Sequence, residues 1–114
     1  MPYLMIQTNI SVDPENRAEF LKAASGTVAE ALGKPESYVM VALRDDTPML
    51  FAGSDAPLAY LELKSLGLPE EKTADFSHTL CQFIHARLGI DLDRIYIEFA
   101  SPARHMFGWN GRTF

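Results

Sequence analysis

Two stretches have the same layout: Leu32-Gly33-Lys34-Pro35-Glu36-Ser37-Tyr38-Val39-Met40-Val41 and Leu88-Gly89-Ile90-Asp91-Leu92-Asp93-Arg94-Ile95-Tyr96-Ile97. Each reads as a helix end, a glycine stop, four intervening residues and a strand, and the two glycines are 56 positions apart (89 minus 33). Glycine suits the left-handed position that closes a helix, and Pro35 bars continuation of the first. Upstream, Phe20, Leu21, Ala24, Val28, Ala31 and Leu32 recur with helical spacing and predict a helix over about 14–32. Asp13 is its expected N-cap, Pro14 its first residue, and Glu15 lies in its first turn. Phe76, Leu80, Phe83, Ile84 and Leu88 form the buried stripe of a second helix, opened by Pro69, with Glu70 and Glu71 placed favourably for the helix dipole.

The segments between the helices read as strands. Residues 2–8 alternate, with Tyr3, Met5 and Gln7 on one face and Leu4, Ile6 and Thr8 on the other. Strands are expected at 38–43, 58–66 and 94–99, and a short extra one at 49–52 after the turn residues Asp45-Asp46-Thr47-Pro48. Pro2 and Pro57 open corresponding strands, so the chain is an internal repeat. Each half is strand–helix–strand, hence a right-handed parallel βαβ unit. The fold class is therefore α/β: two pseudo-repeated βαβ units forming a four-stranded mixed sheet with two helices on one face. The other sheet face is left uncovered and is expected to be apolar. Such a face marks an association surface and predicts a homo-oligomer.

The length of 114 residues fits one domain, 1–114, and 47% apolar content argues against disorder. A net charge of −5 disfavours nucleic-acid binding. With Cys81 alone there is no internal disulfide. No apolar run approaches the ~18 residues of a membrane span, and the N-terminal stretch lacks the pattern of a signal peptide. The expected location is cytoplasmic, with leaderless secretion as the alternative. His78, Cys81 and His85 lie at i, i+3 and i+7 on the second helix, but a metal site needs a further ligand, so no metal is assigned.

Pro2 has two readings. A small residue after an initiator methionine allows Met1 to be removed, which leaves a secondary amine, a base that no side chain provides. Burial and nearby cations lower the pKa of such an amine, so it would be neutral near physiological pH. Alternatively, Pro2 is merely a tolerated second residue. Lys34 likewise reads either as a cation complementing a helix C-terminus or as part of a site.

Taken together, Pro2 opening a strand, Gly33-Lys34-Pro35 with Tyr38, Lys64-Ser65-Leu66-Gly67, Asp93-Arg94-Ile95-Tyr96-Ile97 and the tail Gly108-Trp109-Asn110-Gly111-Arg112-Thr113-Phe114 run the length of the chain. In these motifs the chain resembles the macrophage migration inhibitory factor and D-dopachrome tautomerase branch of the tautomerase superfamily. The resemblance implies a homotrimer with active sites at subunit interfaces. It also implies keto–enol tautomerisation of a small carbonyl substrate of the aryl-pyruvate (phenylpyruvate) or dopachrome type, with no cofactor.

By that resemblance Pro2 is the general acid–base, and Lys34 binds the substrate's carboxylate or oxyanion. Lys64 either widens the anionic preference or is solvated. Ser65 and Leu66 bring backbone near the base. Tyr38, Tyr96, Phe107, Trp109 and Phe114 form an aromatic wall, with Tyr96 reaching in from a neighbouring subunit. Glu98 departs from the family's asparagine: an ionised carboxylate only accepts hydrogen bonds, repels an anionic substrate and favours a protonated Pro2. Phe107 is larger than the usual aliphatic and narrows the pocket. Leu58-Ala59-Tyr60-Leu61 replaces the animal CxxC stretch, so no thiol–disulfide activity is expected there. The alternatives are a cytokine-like receptor-binding protein with weak or vestigial tautomerase activity, or an isomerase of an unsaturated diacid on the same scaffold.

Overall fold

The computed structural model describes residues 1–114. Its main elements are β1 (Tyr3–Thr8), α1 (Pro14–Leu32), β2 (Met40–Arg44), β3 (Ala59–Lys64), α2 (Thr73–Leu88) and β4 (Ile95–Ala100), followed by the two-residue strands β5 (Gly108–Trp109) and β6 (Arg112–Thr113). The main sheet has the order β2-β1-β3-β4. The β1–β2 and β3–β4 pairs are parallel and β1–β3 is antiparallel. This is the expected four-stranded mixed sheet built from two βαβ units. Gly33 and Gly89 close their helices with φ of 63° and 69°, a backbone that glycine adopts without the Cβ penalty.

The core lies between the helices and one face of the sheet. Leu4 and Ile6 of β1, Leu61 and Leu63 of β3 and Ile95 of β4 pack with Phe20, Ala24 and Val28 of α1 and Phe76, Leu80 and Ile84 of α2. Alternation puts Tyr3, Met5 and Gln7 on the other face, in register with Met40, Ala42 and Arg44 of β2 and with Lys64, Glu62 and Tyr60 of β3. Ala100, Glu98 and Tyr96 of β4 continue those rows. That open face is therefore mixed, not the apolar face expected. Tyrosines and methionines are interleaved with two carboxylates and two cations, because alternation puts Glu62 and Lys64 of β3, Glu98 of β4 and Arg44 of β2 on that face.

Several boundaries differ from the sequence expectation for local reasons. Tyr38 belongs to a 3-10 turn, Glu36–Tyr38, and not to a strand, because its N–H is taken by the Pro35 carbonyl. Residues 49–52 form no strand. Phe51 bridges Ser54 across a tight turn in which Ala52 and Gly53 both have positive φ. The third strand stops at Lys64, where the chain turns through Gly67 at φ 63°. Pro69 opens a 3-10 turn, Glu70–Lys72, before α2 begins. Asp13 occupies the N-cap position of α1 without a side-chain capping bond. Unforeseen was the tail hairpin: β5 and β6 pair antiparallel around Asn110 and Gly111, whose φ values of 55° and 76° suit a primed two-residue turn. No helix is long and apolar enough to cross a membrane.

Candidate active site

Pro2 is fully buried just ahead of β1, and its carbonyl accepts the Met40 N–H at 2.9 Å, which starts the β1–β2 ladder. Lys34 directly follows the left-handed Gly33, so the turn that ends α1 fixes where its side chain departs. Its Nζ donates to Ser65 Oγ at 2.9 Å and to the Leu66 carbonyl at 2.6 Å. An ammonium has three donors, so these two bonds leave one uncommitted, and the charge of Lys34 also acts on the Met1 amine. Burial first, and then the charge of Lys34, hold that amine below the usual α-amino range.

Two hollows meet at this point. A cleft of 520 Å³ is lined by Lys34, Pro35, Tyr38, Leu66, Arg104 and Phe114, together with Gly67 and Met1. A smaller one of 130 Å³ is lined by Pro2, Tyr3, Tyr38, Met40, Phe107 and Trp109, together with Gly108 and Met1. Met1 and Tyr38 border both. No acidic side chain lines either hollow. The aromatic wall is continuous: Tyr38 meets Trp109 edge-on at 6.5 Å, Trp109 stacks on Phe114 at 6.2 Å, and Phe107 meets Phe114 at 6.1 Å. The tail hairpin builds this wall, and Phe114 N–H donates to the Phe107 carbonyl at 3.2 Å. A larger hollow of 650 Å³ lies elsewhere, by Asn9, Asp46 and Asp55. It offers two carboxylates but no cation to hold an anionic substrate.

Pro2, Lys34, Ser65, Leu66, Tyr38, Phe107, Trp109 and Phe114 thus converge within one chain. Lys64, Tyr96 and Glu98 do not join them. Lys64 lies on the open sheet face and pairs with Glu62 at 3.6 Å. Tyr96 and Glu98 are on β4, which β3 separates from β1. Arg104, at the cleft, carried no role in the sequence reading. Its only signal was a cation shortly before the Gly108-Trp109 tail motif.

Glu98 is held by its neighbours: the Tyr60 hydroxyl lies 2.7 Å from Glu98 Oε2 and 3.2 Å from Glu62 Oε1. The bond to Glu98 is the first cause that pushes the Tyr60 hydroxyl well above the usual tyrosine range, since ionising it would place a third negative charge there. Replacing Glu98 by glutamine should bring that late ionisation to lower pH in a tyrosinate absorbance titration. An unmoved final step would show that Glu98 is not its cause.

His78, Cys81 and His85 do not form a ligand set. Cys81 is buried near Ser77 and its thiol is pushed up by burial, His85 Nδ1 is bonded to the Ile90 carbonyl at 2.8 Å, and His78 is exposed. No three His, Cys, Asp or Glu side chains are gathered as a metal site.

The family model described as macrophage migration inhibitory factor matches residues 1–114. The chain belongs to the macrophage migration inhibitory factor family. A macrophage migration inhibitory factor homolog of Brugia malayi is 42% identical over 118 residues, covering 100% of this chain and 99% of that protein. The mouse macrophage migration inhibitory factor is 34% identical, with 100% and 99% covered. The crystal structure of the Prochlorococcus marinus homologue of migration inhibitory factor superimposes with a TM-score of 0.91 at 40% identity, covering 98% of each chain. Two helices on a four-stranded mixed sheet are thus the family's architecture, which this migration inhibitory factor relative keeps from β1 to the tail hairpin.

Proposed function

We propose that the chain is a keto–enol tautomerase of aryl-pyruvate-type 2-oxo acids, with the Pro2 secondary amine, freed by removal of Met1, as its acid–base group. The observation that carries this reading is that the buried Pro2 and Lys34 line two adjoining hollows, both bordered by Met1 and Tyr38, with aromatic walls and no acidic side chain. Burial and the Lys34 charge already depress the amine at this end of the chain, and both would favour a neutral Pro2 nitrogen at physiological pH.

The reaction follows from these groups. The Pro2 lone pair takes a proton from the carbon beside the ketone. The C–H pair becomes the C=C bond, and the carbonyl π pair moves onto oxygen. The third N–H of Lys34 is available for the substrate carboxylate or for that oxygen as charge builds on it. The enolate oxygen then takes a proton from solvent or from a hydroxyl, and the protonated Pro2 amine releases its own proton to solvent, which restores the base; the reverse reaction delivers the Pro2 proton to carbon. The aromatic wall formed by Tyr38, Trp109 and Phe114 suits a planar aryl group and keeps water from the amine.

The functional unit in this reading is a homotrimer. Met40 and Tyr96 are 66% and 65% exposed on the open sheet face, and Leu50 is 70% exposed at a mainly apolar hollow of 290 Å³ that Tyr60 and Tyr96 also line. Such surface favours burial against further copies. Packing of the open faces would carry Tyr96 and Glu98 of one copy towards the Pro2 hollow of another.

Phenylpyruvate turnover by the Met1-processed protein, beside a preparation that keeps Met1, tests the assignment. The processed form should be active and the Met1 form inactive, with both sedimenting as trimers. Full turnover by a chain that mass spectrometry shows to carry Met1 would falsify Pro2 as the base.

Lys34→Ala should lower kcat/KM about ten- to a hundred-fold at neutral pH, the scale of a lost charged hydrogen bond. The sign of the pH effect follows from the charge. Without Lys34 the amine is easier to protonate, so its pKa rises and the ascending limb of the kcat/KM profile moves to higher pH. An unmoved limb would remove Lys34 from the neighbourhood of the base.

A further inference from the structure

The 520 Å³ cleft carries two cationic side chains, Lys34 and Arg104, and no acidic side chain. In a chain of net charge −5 this is a local reversal of sign. The two cations are in different states. Lys34 is half-buried and already spends two donors on Ser65 and Leu66. Arg104 is exposed, and its guanidinium has no partner in the protein. Arg44 and Arg112 are unpaired as well but line no cleft with Lys34, whereas Arg17, Arg87 and Arg94 are tied to Asp45, Glu19 and the carbonyls around Pro57. The Arg104 backbone is nonetheless fixed: it opens a 3-10 turn, Arg104–Met106, in which Met106 N–H bonds the Ala103 carbonyl at 2.8 Å and Phe107 N–H bonds the Arg104 carbonyl at 3.3 Å. That turn leads straight into the hairpin that forms the aromatic wall.

From this arrangement we infer that Arg104 is a specificity-determining residue, and that the preferred ligand is a dianion: a 2-oxo acid bearing a second carboxylate at its far end. This rests on the tautomerase reading for the same site. Lys34 takes the carboxylate or oxyanion at the reacting end. Arg104 offers a planar fork of donors, which matches a carboxylate bidentately as an ammonium does not. A volume of 520 Å³ lies within the range of small-ligand sites and leaves room beyond a single aryl-pyruvate carboxylate. Lys64, the other cation expected to favour anions, is engaged by Glu62 on the open face and does not line the cleft.

The test compares phenylpyruvate with 4-carboxyphenylpyruvate on Met1-processed protein, its Arg104→Ala variant and its Arg104→Lys variant. The parent should prefer the dicarboxylate. Arg104→Ala should lower the ratio of the two kcat/KM values about fivefold to tenfold, chiefly through KM for the dicarboxylate, since an exposed pair is worth less than a buried one. Arg104→Lys should restore only part of the ratio. An unchanged ratio in Arg104→Ala would overturn the inference, as would full restoration by lysine, which would reduce the role to charge alone.

A second readout separates this inference from the catalytic one. Terephthalate, an unreactive dicarboxylate, should quench the single tryptophan, Trp109, more tightly in the parent than in Arg104→Ala, and the difference should shrink as salt is raised. Arg104-dependent terephthalate binding in a protein that turns over neither 2-oxo acid would keep the dianion site and discard the tautomerase reading. Turnover of phenylpyruvate with equal terephthalate binding by parent and variant would do the reverse.

Discussion

Replacing Pro2 by glycine should lower phenylpyruvate turnover by roughly a hundred-fold or more, within the range that a positioned acid–base group contributes. Glycine keeps a free terminal amine after Met1 removal, so the comparison isolates the ring. Two effects act in the same direction. A primary amine on a glycine backbone loses the restriction of φ that proline imposes, and the base no longer waits in one geometry. Glycine also leaves part of the space of a fully buried side chain empty, and the water that enters favours the protonated amine. The pairing of Pro2 carbonyl with Met40 N–H uses backbone alone, so the strand and the assembly should persist. Steady-state rates, with sedimentation as the control for assembly, decide the matter. Equal activity of parent and variant would mean that the base lies elsewhere.

The largest effect on stability is expected from Leu61→Ala. Leu61 is completely buried in the interior strand β3, opposite Ile6 of β1 and Ile97 of β4. Truncating such a leucine costs the transfer energy of the lost methyl groups plus a cavity, about 2–5 kcal/mol, a large share of the roughly 5–15 kcal/mol that holds a domain of this kind. The denaturant midpoint should fall while the slope of the transition stays unchanged, with parent and variant compared at one protein concentration because assembly adds to stability. The loss should reach the site as well. Lys34 is anchored on Ser65 and Leu66, which directly follow β3, so the variant should lose activity at temperatures where the parent is still fully folded. A midpoint shift under about 1 kcal/mol would mean that the surrounding core collapses onto the gap.

The helices, the two βαβ units and the repeat were legible because they depend on near-neighbour patterns. Apolar spacing marks the buried stripe of a helix, and a glycine after Leu32 or Leu88 marks where it must stop. The strand ends were less legible because backbone hydrogen bonds compete there. Tyr38 looks like strand on composition, yet its N–H is already committed to Pro35. Met49-Leu50-Phe51 looks like strand as well, but within one chain it has no partner strand, and the ladder reduces to a single bridge across a turn.

For the site, the chain by itself determined which chemistry is on offer: a proline at the start of a strand, a lysine at the turn after a helix, and aromatics in the tail. It also determined that the halves repeat, since hydrophobic period and helix stops are written locally. Only the tertiary structure decided which of these groups meet. It brought Pro2, Lys34 and the tail aromatics together, paired Lys64 with Glu62, bonded Glu98 to Tyr60, and brought Arg104 to the cleft. The reason is physical. Side-chain direction in a strand changes face with every residue, and distant segments come together only through sheet register and loop turns. A lysine's charge is readable in one dimension, but the partner that engages it is chosen in three.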